Sequence, residues 1–321
     1  MPLYYKFPAH CSNSPAKIAA KLVNGWVDGS ELGRTYVLNP IIDHVTIVLR
    51  KTSPALNTPG FGTSPDEFWK DTTGFIQGYQ NDYPESGVKG ITASRPYTVG
   101  IQVPLGGNKA ILNVFAKPTG NAGPVRFEFN PQRFDAESPM RILEWWQKLT
   151  LGQVQLIALL KDATVSRVDV AVDVLNLPFY DLVVTSEKTK RTQTYGAGKS
   201  SVETLQFFTS KDSKKRSVLQ VYDKRRQTLA VDRNPKWGDL PHTRVEATRA
   251  ATTAKWRNLP DMEFPFAGFQ FRRIKKHDDV ELRALRSYAD SGRFRGWENV
   301  DEATPDVSIR IQCCPPFRAQ C

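Results

Sequence analysis

Residues Ser166–Val174 read SRVDVAVDV. Val168, Val170, Val172 and Val174 alternate with Arg167, Asp169, Ala171 and Asp173, the period of a β-strand with one apolar face and one polar face. Working outward, segments of the same kind lie on both sides. Upstream are DHVTIVLRK (Asp43–Lys51), PYTVGIQVPL (Pro96–Leu105), KAILNVFAK (Lys109–Lys117) and VRFEF (Val125–Phe129). Downstream, VETLQFFTS and SVLQVYDKRR flank the polar turn KDSKK as a hairpin, and HTRVEATRA (His242–Ala250) is a further strand. Between them, Ser64–Phe75 reads as a helix with Ser64 as its cap, Pro65 at its first position and acids in the first turn. Pro139–Leu160 reads as one helix with an apolar stripe of Ile142, Leu143, Trp145, Trp146 and Leu149. A late helix is expected over DDVELRALRSYAD. The class that follows is α+β, a mostly antiparallel central sheet with helices on one side.

An opening strand in each half (HVTIVLR, then SRVDVAVDV) is followed by a closing strand of basic–apolar–Glu form (VRFEF, then TRVEAT). That rhythm suggests a pseudo-duplicated βαββ-type unit, although two unrelated β-rich halves would give the same faint repeat. The expected organisation is an N-terminal arm or helix over residues 1–40, a main domain over 41–260 with halves at about 41–135 and 140–260, and a C-terminal helix and tail over 261–321.

The chain has 321 residues, 44 Lys and Arg against 33 Asp and Glu, and a formal net charge of +11. With 40% hydrophobic residues it is an ordinary globular composition, which excludes disorder and a collagen-like fibre. The longest apolar run, Val154–Leu160, is well below the ~18 residues of a membrane-spanning helix. No secretory signal is legible in MPLYYKFPAHCSNSP. Cysteines at 11, 313, 314 and 321 have no metal-ligand spacing and no disulfide framework, so a reducing cytoplasm is the expected location and no membrane is expected. The positive surplus points to a polyanionic partner, most simply nucleic acid.

Strand alternation places Arg244, Glu246 and Thr248 opposite Val245 and Ala247, and Gln220, Tyr222 and Lys224 opposite Leu219 and Val221. If these strands are neighbours, Asp169, Glu246, Tyr222 and Lys224 share one side of the sheet. Asp169 and Asp173 sit ~13 Å apart along their strand, so those two alone make no metal site. Carboxylates hold Mg²⁺ or Mn²⁺, a tyrosine hydroxyl can attack phosphorus, and a lysine neutralises charge on phosphoryl oxygens. The alternative is a half-exposed sheet with cross-strand ion pairs and no chemistry.

The ordered set RFEFNPQRF, SRVDVAVDV, VLQVYDKRRQ and TRVEATR resembles the replication initiation factor family. That family comprises initiators of rolling-circle plasmids, related relaxases and replication proteins of filamentous phages. The E-F-N-P segment ahead of the R-V-D strand is most similar to the phage branch, and the resemblance covers roughly residues 40–260. It implies an origin-specific enzyme that nicks one DNA strand, holds the 5′ phosphate on a tyrosine, and later religates. By that resemblance Tyr222 is the nucleophile, Asp169 and Glu246 are metal-binding carboxylates for Mg²⁺ or Mn²⁺, and Lys224 contacts phosphate. Asp173 and Gln206 are weaker metal candidates. Gln227 stands where related proteins often carry Glu, and no His-x-His pair occurs, since His10, His44, His242 and His277 are far apart.

Tyr195, in the Gly-rich segment TQTYGAGKS, is the rival nucleophile, expected in a loop. Lys211, Lys214, Lys215 and Arg216 in the hairpin turn, with Arg225 and Arg226 after Tyr222, are candidates for phosphate contacts. The expected partners are origin DNA, duplex and single-stranded, and a helicase of the host or the mobile element, because no G-x-x-x-x-G-K-[ST] loop is present. A homodimer is compatible with the same reading. A relaxase of a mobile element uses the same chemistry, while a non-catalytic DNA-binding regulator would need the sheet but not joint retention of Asp169, Tyr222 and Glu246.

Overall fold

The computed structural model describes residues 36–37, 41–57, 63–82, 87–106, 109–186, 189–195, 204–209, 211, 218–231, 240–250, 255, 266 and 269–273. The expected N-terminal arm apart from Tyr36–Val37, the late helix, all four cysteines and Lys214, Lys215 and Arg216 lie outside them. Two compact units divide the chain, one built on Ile41–Val170 and one on Ala171–Thr248, each with additional segments. The division falls inside one strand, between Val170 and Ala171.

In the first unit β2 (Ile41–Val48) is followed by α1 (Pro65–Asp82), β3 (Lys89–Gly90), β4 (Tyr97–Pro104), β5 (Ile111–Pro118) and β6 (Val125–Phe129). The short β1 (Tyr36–Val37), which belongs to the second unit, precedes them in sequence and pairs with the C-terminal end of β7 (Thr164–Leu175). Strand order here is β3-β4-β5-β6-β2-β7, and the β3–β4, β4–β5, β5–β6 and β6–β2 ladders are antiparallel. Register stacks Ile101, Val114, Phe127 and Ile47 in one row, and Val103, Leu112, Phe129 and Val45 in the next. Seven of these eight are 4% exposed or less, so this face is the core; Phe129 alone is half-buried. Burying them is the main stabilising term, about 1.5–3 kcal/mol for each large side chain.

α1 starts where the sequence says it should. Ser64 N donates to Glu67 Oε2 at 3.0 Å and Glu67 N donates back to Ser64 Oγ at 3.3 Å, a reciprocal capping box with Pro65 at the first helical position. The helix runs on to Asp82, a turn and more beyond the expected end.

The single helix expected over Pro139–Leu160 is two, α2 (Ser138–Leu149) and α3 (Leu156–Leu160). Leu151 and Gly152 adopt φ of +51° and +74°, which ends α2 in a left-handed turn. Trp146 fixes α2 on the core face: it is 1% exposed, meets Phe127 edge-on at 5.9 Å, and donates its indole N–H to Val154 O at 3.0 Å.

In the second unit the C-terminal part of β7 is followed by β8 (Leu182–Thr185), β9 (Arg191–Tyr195), β10 (Thr204–Phe208), β11 (Leu219–Asp223), α4 (Lys224–Val231), β12 (His242–Ala250) and β13 (Gln270–Arg273). Strand order is β7-β12-β11-β10-β9, with β8 and β13 forming a separate antiparallel pair. The order repeats that of the first unit: an opening strand beside the last strand of a three-stranded meander, with a short edge strand beyond. The class is thus α+β with mostly antiparallel sheet.

The repeat extends to register. In the first unit Gln102, Asn113 and Glu128 are cross-strand partners in sequence, as are Phe115 and Arg126. In the second, Gln206, Gln220 and Glu246 form the matching row, and Tyr222 lies opposite Arg244.

Candidate active site on the polar face of the second unit

Two rows of side chains cross β9, β10, β11 and β12 on one face. Gln193, Gln206, Gln220 and Glu246 make the first, and Tyr195, Thr204, Tyr222 and Arg244 the second. The opposite face carries Leu205, Val221 and Val245 in register, each 1% exposed or less, so the alternation of the sequence separates core from polar face. Exposure falls from edge to centre: Tyr195 is 47% exposed, while Tyr222 and Arg244 are each 7% exposed.

Tyr222 and Glu246, two residues singled out from sequence, meet. The Tyr222 hydroxyl donates to Glu246 Oε2 at 3.2 Å. Lys224 Nζ lies 5.7 Å from the centroid of the Tyr222 ring and donates to Gln227 Oε1 at 2.7 Å. The expected strand position of Lys224 is corrected: β11 ends at Asp223 and Lys224 opens α4. Arg225 and Arg226 therefore lie in the first turn of a helix, where the Asp223 carboxylate accepts from Arg226 N at 2.9 Å.

Tyr195 also departs from expectation. It is the last residue of β9, paired with Thr204, and so shares the face and the row of Tyr222. Gln206 sits between Gln193 and Gln220 and is half-buried. Lys211 is exposed.

Arg244, which the sequence reading placed on this face without a role, anchors the inner end. Its Nε and Nη2 donate to Asp173 Oδ1 and Oδ2 at 2.6 and 2.7 Å, and His242 Nε2 stands 3.0 Å from the same Oδ1. Burial works to raise the Asp173 pKa, but the hydrogen bonds and charges of Arg244 and His242 outweigh it and hold the carboxyl well below the usual carboxylate range. Asp173 is therefore spoken for as an ion-pair partner. The basic–apolar–Glu signature of TRVEAT was the signal for Arg244, legible only once the strand pairing is known.

Asp169 lies in the first unit. It is 2% exposed, and both its oxygens are taken by Arg167, with Nε to Oδ1 at 2.8 Å. The half-exposed alternative for SRVDVAVDV is corrected over its middle: Val168, Asp169, Val170 and Ala171 are all buried, so both faces of β7 are covered there. Near it, His44 Nε2 is 3.2 Å from Thr46 Oγ1. Burial, then the charge of Arg167, lowers the His44 pKa, with Asp169, Glu128 and Asp43 pulling the other way.

The first unit repeats the Arg-x-Glu spacing without the hydroxyl, and there the two charges pair with each other. Arg126 Nε lies 3.2 Å from Glu128 Oε1, and its guanidinium is held over the rings of Phe115 and Tyr97 at 4.4 and 4.7 Å. Phe115 thus occupies the register position of Tyr222. Tyr97 donates its hydroxyl to Gly123 O at 3.0 Å, and burial pushes its pKa up to about 12, the opposite of what a nucleophile needs.

As to the implied Mg²⁺ or Mn²⁺, no three His, Cys, Asp or Glu side chains among the described residues gather closely enough to hold a metal ion. Asp169 and Asp173 both have their oxygens engaged by arginine. The described donors therefore do not fit a preassembled carboxylate metal centre. No helix among the described residues is long and apolar enough to cross a membrane.

Compared with known proteins, the chain matches no family model and no curated protein.

Proposed function

We propose that this chain nicks one strand of DNA by attack of Tyr222 on a phosphodiester, as a rolling-circle replication initiator acting at an origin. The observation that carries the reading is the Tyr222–Glu246 hydrogen bond at 3.2 Å, set among Lys224 and Arg244. A free phenol with a pKa of ~10 is a weak nucleophile at neutral pH, and an adjacent carboxylate supplies the missing base. The phenolic oxygen forms a bond to phosphorus while its proton passes to Glu246. The bond from phosphorus to the 3′ oxygen breaks, and that oxygen leaves as a hydroxyl after taking a proton from water. A 5′-phosphotyrosyl link and a primer terminus result, and the reverse transesterification reseals the strand. Lys224 stabilises charge on the phosphoryl oxygens, and Arg244, locked to Asp173, positions the Tyr222 strand.

Mg²⁺ or Mn²⁺ would arrive with the DNA phosphate and would not be held beforehand by a carboxylate cluster among the described residues. Origin DNA, a recruited helicase, a possible second copy and a cytoplasmic setting are parts of this reading. A non-catalytic DNA-binding regulator is the second reading, favoured by the pairing of Asp169 and Asp173 with arginines.

The test is incubation with supercoiled plasmid or single-stranded oligonucleotide carrying the candidate origin, with Mg²⁺, Mn²⁺ or chelator, followed by a denaturing gel. A protein–DNA adduct is expected with the wild type and is reduced about a thousandfold or more in Tyr222→Phe. Persistence of the adduct in that variant would transfer the role to Tyr195. Binding without an adduct under all three conditions would establish the regulator.

A further inference from the structure

We infer that Gln193, Gln206 and Gln220 are the base-reading residues of the second unit, contacting the unpaired bases of a single DNA strand whose phosphate lies over Tyr222. The inference rests on the DNA reading above but not on cleavage. Register makes the three glutamines consecutive members of one row that ends at Glu246. Strand spacing of ~4.8 Å sets Gln193 and Gln220 ~10 Å apart, about three stacked base steps of ~3.4 Å. The row lies two residues along each strand from the Tyr222 row, ~7 Å away, so a phosphate over Tyr222 carries its neighbouring bases over the amides.

Chemistry selects the occupant. A side-chain amide presents a donor and an acceptor together, the pattern that pairs bidentately with adenine, whereas phosphate alone would be met by cations. Cations stand around the row instead of within it: Lys190 precedes β9, Lys211 follows β10, and Lys224, Arg225 and Arg226 follow β11. With a net charge of +11 this arrangement puts the backbone at the margin and the bases over the amides. The exposure gradient, from exposed Gln193 to half-buried Gln206 and Gln220, leaves the row open from its β9 edge. In the first unit the corresponding amides are turned on each other, Gln102 Nε2 donating to Asn113 Oδ1 at 3.1 Å. A loop closes that copy: Ile91 O and the Ala93 Cα lie 3.0 and 3.3 Å from where a Cβ on Gly100 would stand, and Ser94 and Arg95 carbonyls accept from Arg126. The reading row is therefore assigned to the second unit alone.

The experiment selects from a random single-stranded oligonucleotide pool, and from the same pool made duplex, with the full chain at fixed salt, then sequences what is bound. The wild type is expected to enrich a short motif from the single-stranded pool. Gln206→Leu and Gln220→Leu are each expected to lose preference at one position by about tenfold while total binding falls less than about threefold. Gln193→Ala, at the exposed edge, gives a variant whose folding is not in question, and thermal melts check the other two. Unchanged motifs in all three variants, no enrichment by the wild type, or enrichment from duplex only would each overturn the inference. Motif enrichment without any covalent adduct would leave it standing and remove the nicking reaction instead.

Discussion

At the scale of single residues, Asp173 and Arg244 show how a buried charge is kept. Asp173 is 13% exposed at its side chain and is neutralised by Arg244 and His242. Its pKa is lower folded than unfolded, so the pair stabilises the native state above the unfolded value of ~3.9. That stabilisation fades as pH falls from there toward the depressed folded value. Urea unfolding at pH 7 and pH 3 is expected to show a larger acid loss for wild type than for Asp173→Asn. Arg244→Met, which strands the carboxylate, is expected to cost about 3–5 kcal/mol at pH 7. An equal pH response in wild type and Asp173→Asn would mean that the pair contributes nothing to acid stability. Tyr222 and Tyr97 make the complementary point: both are buried phenols, but one faces a carboxylate and the other a backbone carbonyl. Nothing in the local sequence of either tyrosine announces that difference.

At the scale of elements, the strands were legible because alternation and burial agree. DHVTIVLRK, PYTVGIQVPL, KAILNVFAK, VRFEF and HTRVEATRA are all strands, within a few residues of their expected ends. Helix ends were less legible. The apolar run of Pro139–Leu160 hides its break because Leu151, 75% exposed at φ +51°, is an unusual residue for a left-handed turn. The helix at Lys224 was missed because KRR has no apolar residue from which a helical period could be read, and only the Asp223 cap marks its start. Tyr195 was read as loop because its glycine neighbours are turn-formers, yet pairing with β10 carries the strand to that residue. The turn into β6 is set by close approach: a Cβ on Gly123 would fall inside contact distance of Leu49 O and Val48 Cγ1. Gly123→Ala is therefore expected to lower stability by about 1–3 kcal/mol in chemical denaturation, by prising β2 from β6. An unchanged midpoint would show that the two strands yield at no cost.

At the scale of the whole chain, the net charge of +11 makes a prediction independent of any catalytic residue. Affinity for a single-stranded oligonucleotide is expected to fall by tenfold or more between 50 and 200 mM salt, with a log–log slope near −0.7 for each phosphate neutralised. A flat salt response in a fluorescence-anisotropy titration would remove the polyanion partner altogether. The duplication belongs to this scale too. The faint echo of VRFEF in TRVEAT proves to mark the same position in two units of the same strand order, each strand beside its opening strand. One copy carries Tyr222 before its arginine and the other Phe115, so the hydroxyl chemistry is expected once per chain.

By itself the sequence determined the class of fold, most of the strands with one core face for each, and the cationic character, because these follow from local periodicity and composition. It also brought out Tyr222 and Glu246 by their motif order. Only the tertiary structure decided which of those polar residues meet. Pairing between strands far apart in sequence sets Tyr222 against Glu246 and Asp173 against Arg244, and burial on both faces of β7 closes Asp169 onto Arg167. A strand's own residues fix which way its side chains point; its neighbours fix what those side chains touch.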